Sequence, residues 1–185
     1  MRIFVRVLIV VCVVLGLARA DVGKSVKYEA DWGSLDGRGT PGWWVDSKFG
    51  LLVCWGFYSV PGWAVQGQYA EWYWSNVERD RKKNGPWWRY HAKTYGEDFD
   101  CADFAAMFKA ELFDAGHWAK VFEGSGAKYV LLTAKYHDGF CLWPNEHANK
   151  AWGKAWNSVE VGPKRDLLGE LGKAVREEGL RMGIY

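Results

Sequence analysis

Three short apolar runs punctuate the chain, and each leads into or from small, polar or aromatic residues. The first lies in Lys48 to Gly56 (KFGLLVCWG). The second opens Lys128 to Trp143, where Tyr129, Val130, Leu131 and Leu132 precede Lys135, Tyr136, His137, Asp138, Gly139 and Phe140. The third spans Leu180 to Tyr185 (LRMGIY). Runs without polar alternation suit strands covered on both faces, as in a parallel sheet. Between them the spacing turns helical. Phe104, Met107, Phe108 and Leu112 fall on one helical face, with Asp100 as N-cap. A second helix is predicted from Asp114, burying Trp118, Val121 and Phe122 until Gly124 and Gly126 break it. A third starts at Asp166, turns Leu167, Leu168, Leu171, Ala174 and Val175 inward, and stops at Gly179. The order is βαβαβ, which requires parallel strands joined by right-handed crossovers.

This topology gives the polar clusters a meaning. α/β barrels and open α/β sheets place their sites just past the C-terminal ends of parallel strands. Lys135 to Phe140 occupies that position after the second run, and Cys54 to Tyr58 after the first. A polar turn closing an ordinary strand would look the same. Trp74 to Phe99, with Asn84-Gly85-Pro86, reads as a long loop, and Arg79, Arg81, Lys82 and Lys83 as its solvated face. Long loops on a barrel are commonly functional.

Four segments in order, KFGLLVCWGFYSVPGWA, EWYW, AKYVLLTAKYHDGFCLWP and WNSVEVGPKRDLLGELGKAVREEGLRMGIY, resemble the N-terminal part of the α-L-fucosidases of glycoside hydrolase family 29. The resemblance covers roughly Tyr28 to Tyr185. It implies an α/β fold of the (β/α)8 TIM-barrel family, with residues 21–185 forming the N-terminal portion, about the first three βα units. It also implies removal of α-linked L-fucose from glycoconjugates with retention of configuration. Retention requires two carboxyl groups about 5–5.5 Å apart, one as nucleophile and one as acid/base. The resemblance puts both beyond Tyr185, so residues 1–185 alone are expected to be inactive and no residue is assigned a catalytic role.

The resemblance assigns this stretch to holding the sugar, through Cys54, Trp55, Glu71, Trp72, Tyr136, His137 and Trp143. Carboxylates and imidazoles suit vicinal hydroxyls, and aromatic faces cover the apolar side of a pyranose. Family members usually carry His-Trp-Gly where this chain has Cys54-Trp55-Gly56, and His-His where it has Tyr136-His137. A thiol is a weak donor and does not replace an imidazole. Losing a hydrogen bond to a buried partner costs about 1–3 kcal/mol. A fucose-binding or decayed relative without catalysis is therefore the alternative. Each residue also has a plainer reading: a strand-end histidine for His137, a loop carboxylate for Glu71, packing under a rim for Trp55 and Trp143, and a buried inert thiol for Cys54. Asp138 fits loop ordering through backbone hydrogen bonds better than catalysis.

Composition supplies the setting. Arg2 and Arg6 precede an apolar stretch from Val7 to Ala18, and Ala18-Arg19-Ala20 closes it. That is the pattern of a secretory signal peptide over residues 1–20, too short to span a bilayer, so a secreted or lysosomal protein without a membrane anchor is expected. Without its three arginines the chain keeps 21 of 24 basic residues against 22 acidic ones. This balance gives no electrostatic reason to bind nucleic acid. The expected partners are fucosylated glycans or glycoproteins. No His, Cys or carboxylate spacing suggests a metal, and no cofactor is expected. Cys54, Cys101 and Cys141 leave an odd thiol, with Cys54 and Cys141 both near strand ends. Thirteen tryptophans fit an aromatic-lined carbohydrate cleft. Three strands do not close an eight-stranded barrel, which takes about 250 residues. A partial product of a longer gene is the expected explanation, and the open edge of the third strand an association site, with homo-oligomerisation an expectation for the full-length form.

Overall fold

The computed structural model describes residues 27–185. The predicted signal peptide lies outside the described residues. The chain divides into two compact units, Met1–Thr40 and Pro41–Tyr185. Among the described residues of the first is one short helix, α1 (Trp32–Asp36), whose N-cap Asp31 accepts the Ser34 amide.

The second unit begins with α2 (Gly42–Ser47) and carries three parallel strands: β1 (Gly50–Val53), β2 (Tyr129–Leu132) and β3 (Arg181–Ile184). They lie side by side in that order, with Gly50 opposite Tyr129 and Tyr129 opposite Arg181. Gly50 is required by packing, because the Tyr129 ring lies where its Cβ would stand, 2.1 Å away. All three apolar runs thus become strands in the predicted parallel order.

Two helices connect the strands at the back of the sheet. α6 (Ala115–Gly124) is capped by Asp114, which accepts the His117 amide at 2.9 Å. α8 (Leu167–Glu177) is capped by Asp166, which accepts the Gly169 amide at 2.8 Å. Leu167, Leu171, Ala174 and Val175 are buried, as the spacing predicts, and Leu168 is half-buried. Gly179, at φ +76°, turns the chain into β3. α6 and α8 pack together behind Val130 and Leu132, and Ala119 is the residue of α6 that reaches the interior. Val121 is exposed and Trp118 and Phe122 are only half-buried, contrary to expectation.

Two further expectations are corrected. The stretch read as one helix from Asp100 is a capped 3-10 turn (Cys101–Asp103) followed by the single turn α5 (Phe104–Met107). The chain leaves the helix at Phe108, so Phe104 and Phe108 are buried while Leu112 is 95 % exposed. Trp74 to Phe99 is mostly helical: α3 (Tyr73–Arg81) and α4 (Pro86–Tyr95) pair as a hairpin. Pro86 opens α4, where its missing N–H is no loss. Arg79 and Arg81 therefore sit on a helix, with the Arg81 guanidinium 4.2 Å from the centre of the Trp88 ring. A seven-residue helix, α7 (Glu146–Trp152), capped by Asn145, completes the unit.

Candidate sugar-binding site

The loop after β2 folds back on itself. Leu142 donates to the Ala134 carbonyl at 3.0 Å and Gly139, at φ +74°, donates to Tyr136 at 3.1 Å. His137 and Asp138 are thereby presented at the tip of a tight turn. The Asp138 side chain accepts the Phe140 amide at 2.8 Å, and its carbonyl accepts Trp156 Nε1–H at 2.8 Å. Loop ordering is thus what Asp138 does, as its sequence position suggests.

Glu71 and Trp72 arrive from a 3-10 turn (Ala70–Trp72) that runs directly into α3. The Trp72 ring stacks on His137 with centroids 4.2 Å apart and planes 25° from parallel. Together Glu71, Trp72, His137 and Asp138 line a cavity of about 200 Å³. Its remaining wall is mostly aromatic, including Tyr58, Trp74 and Trp152. A carboxylate and an imidazole set among aromatic faces are suited to a neutral polyhydroxylated ring. Burial pushes the Asp138 carboxyl up from 3.8 to about 6, against its backbone hydrogen bond from Phe140 and the positive charge of Lys135.

Tyr136 stands behind this surface. Its hydroxyl accepts from Tyr58 Oη at 3.3 Å, and the two rings meet edge to face at 4.9 Å. Cys54 and Thr133 lie beside the same hydroxyl. Burial pushes the Tyr58 phenol up to about 12 and raises Tyr136 as well, so both remain neutral donors.

The structure therefore brings Glu71, Trp72 and His137 to one cavity and sets Tyr136 and Cys54 behind its Tyr58 wall. Cys54 is exposed, which removes the buried-thiol reading. Cys54, Cys101 and Cys141 are all free, the last two buried, so the proximity considered for Cys54 and Cys141 yields no disulfide. Trp55 faces elsewhere, with its ring centre 4.9–5.2 Å from those of Phe108, Phe113 and Trp118. Its surroundings are those of a packing residue, and it lines a second, more open groove with Met107 and Phe113. Trp143 is half-buried and does not line the Glu71–His137 cavity. Sequence reasoning missed Tyr58, Trp74 and Trp152. Asn145 ahead of Glu146 was the available signal for the last, since an N-cap there starts the helix that ends at Trp152.

The chain is similar to known proteins over most of its length. The sequence model described as Alpha-L-fucosidase matches residues 15–185. The alpha-L-fucosidase of Dictyostelium discoideum is 46% identical over 162 residues, covering 88% of this chain and 34% of its own length. The tissue alpha-L-fucosidase of Homo sapiens is 41% identical over 159 residues, covering 86% and 32% respectively. The crystal structure of Thermotoga maritima alpha-fucosidase in complex with fucose superposes with a TM-score of 0.77 at 49% identity, over 86% of this chain and 37% of that one. The chain belongs to the alpha-L-fucosidase family. It spans about a third of the length of the relatives it matches.

Proposed function

We propose that the full-length protein is a retaining α-L-fucosidase acting on fucosylated glycans, and that this chain supplies part of its sugar-holding wall. The observation that carries the reading is the joint placement of Glu71, Trp72 and His137 around one small cavity in a chain of this family. The three parallel strands are read as the first three of a (β/α)8 barrel, with the cavity past their C-terminal ends, where such barrels place their chemistry. In this reading Glu71 accepts from sugar hydroxyls, His137 exchanges hydrogen bonds with them, and Trp72 fixes the imidazole plane. Asp138 acts through the turn that holds His137. The nucleophile and the acid/base are assigned to no residue of this chain. The leader pattern of residues 1–20 supports a secreted or lysosomal location.

A second reading is favoured by one observation. At the two positions where the family usually has histidine, this chain has an exposed thiol, Cys54, and a phenol, Tyr136, that is set behind Tyr58. A protein that binds fucose without cleaving it fits those substitutions. The test is hydrolysis of an aryl α-L-fucoside by the full-length native protein, followed by NMR to identify the first anomer released. Release of the α-anomer, lost in Glu71→Ala and His137→Ala, is the expected result. L-Fucose binding by calorimetry without turnover would replace it with the second reading, and neither binding nor turnover would overturn both.

A further inference from the structure

The cavity is small for the ligands its family resemblance implies. About 200 Å³ falls below the roughly 300–1,000 Å³ of sites that enclose drug-sized ligands. It admits one monosaccharide ring, so the next residue of any glycan must leave past the rim. Two indoles stand at that rim, Trp72 and Trp152, each 40 % exposed while lining the cavity.

Trp72 is already engaged, with one face on His137. Trp152 is held differently. Its inner face stacks on Trp156, with centroids 4.7 Å apart and planes 29° from parallel, and Trp74 supports it from the side at 5.4 Å. Trp156 in turn is buried and pinned by its indole N–H to the Asp138 carbonyl. The Trp152 Nε1 atom lies 2.8 Å from where a Cβ on Gly139 would stand, so the ring sits directly over the His137 turn. An exposed aromatic plane is thus fixed by a buried stack that is itself tied to the sugar-holding loop. Ser75, exposed on α3, adds a hydroxyl to the same lining.

Resting on the fucose-site reading above, we propose that Trp152 is the platform for the neutral pyranose to which the fucose is attached. An indole face presents a large, rigid apolar area to the C–H side of a pyranose, and a nearby hydroxyl such as that of Ser75 orients it. Rigidity matters because the stack removes the ordering cost that a mobile rim residue would add on binding. Discrimination between a free monosaccharide and a glycan would then arise at Trp152, and recognition of fucose itself at Glu71 and His137.

Calorimetry on the full-length protein separates the two, using L-fucose and a hydrolysis-resistant, sulfur-linked α-L-fucosyl-hexose disaccharide as probes. The wild-type protein is expected to bind the disaccharide roughly tenfold more tightly than L-fucose, an aromatic-contact effect of ordinary size. Trp152→Ala removes that preference, weakening the disaccharide by roughly tenfold more than it weakens L-fucose. Trp152→Phe keeps most of the preference, which a merely structural role would not predict. Equal loss for both probes in Trp152→Ala, or no wild-type preference, would overturn the platform while leaving the fucose site standing. A wild-type protein that binds neither probe would remove the functional reading and the platform together.

Discussion

Asp138 shows how one residue joins the site to the fold. Its side chain closes the turn by accepting the Phe140 amide, and its carbonyl anchors Trp156, so the tip carrying His137 is braced from both sides. The cost is a carboxyl group held among aromatic rings, with burial raising it from 3.8 to about 6. Linkage fixes the sign. Between pH of about 4 and 6 the folded state holds a proton that the unfolded chain has released. The stability this group contributes is therefore present below pH of about 4 and lost as pH rises through about 6. Asp138→Asn keeps the side-chain oxygen for Phe140 and removes the titration. Thermal midpoints of the two proteins, measured from pH 3.5 to 7.5, should show the wild type losing stability relative to Asp138→Asn across that window. Parallel curves would mean that Asp138 titrates as an ordinary solvated carboxylate. The Tyr58–Tyr136 pair, raised by burial, stays neutral over the same range.

At the level of elements, the sequence was most legible where one periodicity ran uninterrupted. α8 has a clean apolar stripe between Asp166 and Gly179, and β2 is a plain apolar run, so both stand where the spacing puts them. The α3–α4 hairpin was hidden by its composition. Tyr73, Trp87 and His91 form its inner face, and tryptophan, tyrosine and histidine read as surface or cleft residues when met in a polar stretch. Asn84-Gly85-Pro86 was read as a loop signal when it is only the turn between two helices. What the pattern could not show is that His91 is fully buried with both ring nitrogens engaged. Nε2–H donates to the Phe99 carbonyl at 2.9 Å, and Nδ1 accepts from Tyr73 Oη at 3.1 Å. His91→Phe keeps the ring volume but orphans two buried groups, at about 1–3 kcal/mol each. Tyr73→Phe orphans only the imidazole nitrogen. Urea unfolding should rank His91→Phe as clearly more destabilised than Tyr73→Phe; the reverse order would place the weight of the hairpin on the phenol.

For the whole molecule the instructive surface is the side of the sheet away from α6 and α8. Period two along the strands puts Gly50, Leu52, Tyr129, Leu131, Arg181 and Gly183 on it, in register across β1, β2 and β3. α2 covers its lower end, where Trp44 meets Tyr129 at 4.8 Å and Arg181 lies 4.4 Å from the centre of Trp43. Farther up, Leu52 is 60 % exposed, and at the sheet's edge Ile184 is 63 % exposed. The apolar runs forecast this outcome, because strands written for cover on both faces have it here on one. It follows that residues 21–185 produced by themselves should self-associate through β1, β3 and this face, since open apolar edges template pairing with other chains. Sedimentation velocity over a concentration series, with dye binding to exposed apolar surface, reads the effect. Leu52→Lys and Ile184→Lys together should shift the population toward monomer and lower the dye signal, because a charge at an exposed edge position opposes pairing. A wild-type stretch that sediments as a monomer and binds no dye would mean that α2 shields the sheet by itself. The barrel would then not be needed to explain the face that β1 to β3 present.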